Sequence, residues 1–130
     1  MFPKEVEVIL ARHLASCLAM PIFIIDPVGT LIFYNESAEP ILGCRYEEMG
    51  EMTREQWQHA FNATDEAGNP LADDDLPLEI ARREHRPAHM TFWIQGMDGV
   101  RRGIHTTAFP LIGQSDRFLG AMTIFWEVAS

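Results

Sequence analysis

Residues Pro21 to Gly43, reading PIFIIDPVGTLIFYNESAEPILG, constrain this chain more than any other stretch. An apolar run, Ile22 to Ile25, ends at Asp26-Pro27-Val28-Gly29, and a second run, Leu31 to Tyr34, follows. Two short β-rich runs around a Pro/Gly turn read as a β-hairpin. Asn35-Glu36-Ser37 then reads as a helix N-cap, since short polar side chains there can accept from first-turn N–H groups. A short apolar segment (Ala38, Ile41, Leu42) and Gly43 close the unit.

The flanking sequence extends this pattern. Val6, Ile9, Leu10, His13, Leu14, Cys17 and Leu18 fall at i, i+3, i+4, i+7, i+8, i+11 and i+12, one stripe of an amphipathic helix. Glu5, Glu7, Arg12 and Ser16 fill its other side, and Pro21 stops it. Tyr46 to Gly50 reads as a helical turn. Thr53 to Phe61 reads as a helix with Trp57 and Phe61 on its buried side. After an acidic loop at 64–69, Asp73-Asp74-Asp75 and Leu76-Pro77 read as a helix start, with acidic caps and then proline in the first turn. That helix should run to about His85, before Pro87. Three strand-like segments finish the chain: Met90–Met97, Val100–Leu111 and Phe118–Val128. Asp98-Gly99 signals a hairpin between the first two, and Ile112 to Asp116 makes a looser second turn.

This order, β-β-helices-β-β-β, resembles a PAS domain over almost the whole chain. The opening block matches the family's strand, D-x-x-G turn, strand, Asn, short helix and Gly. The middle, TDEAGNPLADDDLPLEIARREHRP, is similar to the insert of many bacterial PAS sensors. The resemblance implies an α+β PAS fold: a five-stranded antiparallel sheet with short helices on one face. An N-terminal amphipathic helix would occupy 1–20 and the PAS domain 21–130. It also implies a bacterial-type sensory and dimerising module of signal transduction, free-standing or cut from a larger protein.

Side chains alternate between faces along each strand. Aligned on the family's landmarks, Phe23, Ile25, Phe92, Ile94, Ile104, Thr106, Ala108, Ala121, Thr123 and Phe125 should point inward. All but Ala108 are candidate pocket residues. They would line either a filled core, with each threonine bonded to backbone, or a small, mostly apolar ligand site. The opposite parity places Trp93, His105, Thr107, Phe109, Phe118, Met122, Ile124 and Trp126 outward. A sheet face meeting water should be polar, and an apolar one marks an interface or a covering element. The expectation is a homodimer through Val6, Ile9, Leu10, His13, Leu14 and Cys17 of the helix with Trp93, Met122, Ile124 and Trp126 of the sheet.

The 130 residues suit one domain, and 47% hydrophobic and 10% aromatic residues can bury a core. A formal charge of −9 argues against nucleic acid and against anionic membrane surfaces. Two cysteines, Cys17 and Cys44, are too few for a disulfide framework, so a cytoplasmic setting is the simpler inference. The longest uncharged run, Leu14 to Ile25, contains Pro21 and is shorter than the ~20 residues a membrane span requires. Leu14-Ala15-Ser16-Cys17 spells a bacterial lipobox, but charged residues rather than an apolar stretch precede it.

No cofactor is expected. Gly43-Cys44-Arg45-Tyr46 resembles a fragment of the N-C-R-F-L-Q motif of flavin-binding PAS domains. It comes too early, and the aligned position falls near Thr53, which cannot form a thiol adduct. Haem-binding PAS domains use a histidine from the helix before the third strand. Here His85 stands among Arg83, Glu84 and Arg86, and His59 and His89 are similarly unsupported. His13 and His105 stand alone, and the Asp73–Asp75 run lacks the Gly and Glu of a calcium loop. No G-x-S-x-G, P-loop or H-E-x-x-H is present, so no catalytic residues are assigned. The alternatives to a non-catalytic module are a receptor with a dedicated haem, or a small α+β enzyme. A receptor of the first kind could instead take a small apolar or carboxylate ligand, and a signalling protein such as a histidine kinase is the expected partner. PAS domains often end their fifth strand with D-x-T. Here Glu127-Val128-Ala129 stands in its place and the chain stops at Ser130, so output through the dimer surface is expected rather than through a C-terminal lever.

Overall fold

A computed structural model describes residues 6–17 and 19–129, without the side chains of Val6, Glu7, 15–17 and 129. Helix α1 (Val6–Cys17) leads into β1 (Ile22–Ile25) and β2 (Leu31–Tyr34). Short helices α2 (Glu39–Leu42), α3 (Tyr46–Met49), α4 (Arg54–Phe61) and α5 (Pro77–Glu84) follow, then β3 (Ala88–Gln95), β4 (Arg101–Ile112) and β5 (Phe118–Ala129). The five strands form one sheet in the order β2-β1-β5-β4-β3. Every neighbouring pair is antiparallel.

The opening hairpin closes as its sequence requires. Asp26 Oδ1 accepts from the N–H groups of Val28 (3.0 Å) and Thr30 (2.9 Å), and Gly29 takes φ +96°, which glycine adopts without a Cβ clash. The N-cap expected of Asn35 is not made, because its side chain has turned the other way. Its Oδ1 accepts from Ile22 N (2.9 Å) and its Nδ2 donates to Met20 O (2.8 Å), holding the start of β1 against the end of β2. Two otherwise unpaired backbone groups at a buried strand end outweigh one solvent-accessible cap. By contrast, Thr53 and Gln56 form a reciprocal capping box at α4.

The expected acidic cap of α5 is also corrected. Asp73–Asp75 make a separate 3-10 turn, and α5 starts at Pro77 with Leu76 at the N-cap and no side-chain cap bond. Asp74 instead pairs with Arg83, at 2.7 Å.

Two apolar clusters flank the sheet. The larger lies between its inner face and the short helices and includes Phe23, Tyr34, Trp57, Phe61, Leu78 and Phe125. The smaller lies on the outer face, where Val8 of α1 packs with Ile22, Ile24, Ile32, Leu119 and Met122. Leu119 reaches that cluster through a β-bulge. Leu111 pairs with Gly120 and Ile112 with Phe118, leaving Leu119 as the extra residue. Gly120, at φ +134°, comes so close to β1 that a Cβ would collide with Ile25 O. The bulge reverses the side-chain parity, so Phe118, expected outward, stacks instead on His85 at the end of α5 (centroids 4.0 Å).

Candidate functional site: a cavity behind the sheet

The inner face does not fill completely. A cavity of about 250 Å³ lies between the sheet, α4 and the segment leading into α5. Phe23, Phe92, Ile94, Ile104, Thr106, Thr123 and Phe125, all candidates from the sequence, line its sheet side. Ile25 and Ala121 share that face but are fully buried in the core beside the cavity, as is Ala108. The opposing wall comes from Leu42, Trp57, Gln58, Phe61, Leu76 and Leu78. None of these six was among the pocket candidates, although the i, i+4 pair of Trp57 and Phe61 had signalled a buried helix face. Short helices connected by loops carry no register from which a pocket wall could be read.

Several ties set the wall's geometry. Trp57 Nε1 donates to Gly29 O at 2.8 Å, locking α4 onto the β1–β2 turn. The Phe23 ring meets Trp57 edge-on (5.4 Å) and Phe61 likewise (6.3 Å). Behind the wall, Glu79 is 0% exposed. Its Oε2 accepts from Arg82 at 2.7 Å, and its Oε1 lies 3.6 Å from Arg54. Gln58 Nε2 donates to the same carboxylate at 3.4 Å, and Arg82 Nη1 reaches Pro27 O at 3.4 Å. A buried carboxylate is tolerated only with such partners. The group thereby joins α4, α5 and the β1–β2 turn.

The cavity's polar groups are few. Thr106 Oγ1 donates to Met90 O (3.2 Å) and Thr123 Oγ1 to Thr107 O (3.1 Å), so both hydroxyl protons are bound to strand carbonyls. The wall has no histidine, cysteine, lysine or arginine. It therefore does not fit a haem needing a protein ligand to iron, nor a flavin needing a reactive thiol. Cys44 lies elsewhere, with its Sγ 3.1 Å from the Tyr34 hydroxyl, and burial pushes its thiol pKa up. The Tyr34 phenol is also held well above its ordinary range, first by burial and then by its bond to Cys44. Raised values make both groups poor nucleophiles. Among the described residues, no group of three His, Cys, Asp or Glu could hold a metal, and no helix is long and apolar enough to cross a membrane.

On the outer face, among the described residues, α1 packs with residues of β1, β2 and β5, with Phe109 and Leu111 of β4 partly buried in the same cluster. It docks through Val8 and Ala11, with the Arg12 guanidinium 4.9 Å from the Phe33 ring centre. The expected stripe turns away: Ile9 is 51% exposed, Leu10 and Leu14 60% each, and His13 is exposed too. Leu18 of that stripe, and the side chains of Val6 and Cys17, lie outside the described residues. Met122, expected at an interface with a partner, is buried within the chain beside Val8, and Ile124 is partly covered there. A helix standing on that half of the face removes Met122 from free surface and leaves Ile124 partly exposed. Toward the other edge, Trp93 lies under Arg101 (4.6 Å), and Trp126, 40% exposed, packs on His105 (4.8 Å).

The strand order, with short helices between the second and third strands enclosing a cavity on one face, decides the comparison with known structures. The PAS domain of nitrogen regulation protein NR(II) from Vibrio parahaemolyticus superposes with a TM-score of 0.66 at 15% identity, covering 92% of this chain and 98% of its own. The chain has the PAS fold. A PAS domain from a two-component sensor histidine kinase gives 0.63 at 14% identity, with 95% and 97% covered. The LOV protein of Rhodobacter sphaeroides gives 0.72 at 9% identity, with 96% and 69% covered. No family model and no curated protein matches the sequence. In this PAS sheet the inner-face register is the one the landmarks in the sequence implied, and the outer face departs from it at the bulge.

Proposed function

We propose that this PAS-fold chain is a non-catalytic sensory module of bacterial signal transduction, working in the cytoplasm as a homodimer. Its cavity takes a small, mostly apolar ligand. The observation that carries this reading is the cavity of about 250 Å³ walled by Phe23, Trp57, Phe61, Phe92 and Phe125. A void of that lining would be costly to keep empty in a packed core. The nitrogen regulation and histidine-kinase proteins named above support a signalling partner of that kind. The charge of −9 speaks against nucleic acid or an anionic membrane as partner.

Dimerisation is supported by the outward stripe of Ile9, Leu10 and Leu14 and by exposed Trp126. A standard interface of roughly 800 Å² per partner would cover both. Ligand occupancy would then reach the partner by shifting α1 and Trp126 between two arrangements. Native mass spectrometry and an absorbance scan of purified protein test the ligand reading. A retained small-molecule mass without a Soret or flavin band is expected, and a haem or flavin band would overturn it. Light scattering tests the dimer: Leu14→Glu should dissociate it, and a monomeric wild type at tens of micromolar would refute it.

A further inference from the structure

We infer that the cavity selects a compact amine with an apolar body and discriminates against carboxylates of the same shape. The inference rests on the ligand reading above and names its chemistry. Both threonine protons are bound to strand carbonyls, so Thr106 and Thr123 present only oxygen lone pairs to the cavity. The Trp57 N–H is bound to Gly29 O and turned out of use. Gln58 turns its NH₂ toward the Glu79 carboxylate at 3.4 Å, so one of that group's two donors is taken. Asp73 lines the mouth and has no ion-pair partner among the described residues, while Asn62, also at the mouth, can turn either end of its amide inward. Apart from the amides of Gln58 and Asn62, the cavity's polar side chains therefore accept hydrogen bonds and do not donate them. No cationic side chain lines it.

Five aromatic rings complete the wall, and ring faces attract an ammonium while repelling a carboxylate. One feature works the other way: the first turn of α5 lies at the same wall, and helix N-termini favour anions. Asp73, Asp74 and Asp75 stand immediately before that turn and Glu79 within it. Against these four carboxylates stand three nearby cations, Arg54, Arg82 and Arg83, all of them already paired. That end of the cavity does not offer an unopposed positive field.

The test uses three probes that share a phenylethyl body, phenethylamine, its isostere propylbenzene and 3-phenylpropanoate, titrated into the full chain at neutral pH. Tryptophan emission, with Trp57 in the wall, reads binding, and calorimetry confirms it. Phenethylamine should bind roughly ten-fold more tightly than 3-phenylpropanoate. Asp73→Asn, at an exposed position that leaves folding intact, should shrink that ratio several-fold. Equal or tighter binding of the carboxylate overturns the inference and leaves the ligand-binding cavity standing, as does binding of propylbenzene alone. Failure of all three probes to bind overturns the ligand reading and this inference with it.

Discussion

The two faces of this sheet are both apolar, yet the chain closes them differently. The inner face is shut by α4 and α5, which are fastened by directed bonds: Trp57 to Gly29, Glu79 to Arg82 and Arg54, and Arg82 to Pro27. The outer face is half covered by α1, whose described side chains meet it through buried Val8, partly buried Ala11 and the Arg12 guanidinium over Phe33. Hydrophobic contact is non-directional and fixes less closely which side of a helix settles on a sheet. Buried polar ties permit one arrangement, which is why the face with the cavity is the one so fastened.

The difference can be broken from the inner side first. Phe23→Ala removes the ring at the centre of the inner cluster and should cost about 3–5 kcal/mol in urea unfolding. Next, Glu79→Ala leaves two guanidinium groups facing a vacated buried site and should cost about 3 kcal/mol. A loss under about 1 kcal/mol would show that the strut does not fasten the helices. Val8→Ala, on the outer side, should cost only about 1.5 kcal/mol. It should raise amide exchange in α1 while leaving the inner strands protected; equal loosening of both faces would erase the distinction.

The smallest effect concerns the β3–β4 turn. Arg102 donates to Asp98 at 2.8 Å and to Ile41 O at 2.9 Å, pinning the turn to α2. The Arg102 hydrogen bond lowers the Asp98 pKa below its usual value of 3.8. The stabilisation is then present above the ordinary carboxylate range and lost as pH falls through the lower folded value. Exchange in the 96–100 loop should separate wild type from Asp98→Asn at neutral pH, and the two should converge in acid.

Most of the fold was legible because strands and turns carry local signals. The Asp26–Gly29 turn and the helix from Thr53 to Phe61 follow from local residues, and the inner parity of Phe23, Thr106 and Phe125 from the resemblance to the PAS pattern. Other features depended on choices between competing partners. Asn35 had a helix and a strand end to serve, and the more deeply buried groups won. The side on which α1 docks was not legible: the stripe of Ile9 and Leu14 was expected against an outer sheet face, the chain's own or a partner's, whereas Val8 and Ala11 make the contact within the chain. Glu79 drew no expectation from the sequence, since a glutamate in a short helix is ordinarily solvated. The bulge at Leu119 left no trace except Gly120.

The strand order also sets a timetable. Phe23 of β1 lies opposite Thr123 of β5, 100 positions later, whereas β1 meets β2 across a few residues. At roughly 5–20 residues per second, a ribosome would complete the first hairpin at least about 4 s before the second neighbour of β1 emerged. Contacts that close such long loops form slowly. During that interval Ile22 and Ile24 would lie on an unpaired edge, open to other nascent chains. The central position of β1 thus leaves its edge open until β5 has been made, and the cavity can close only after that.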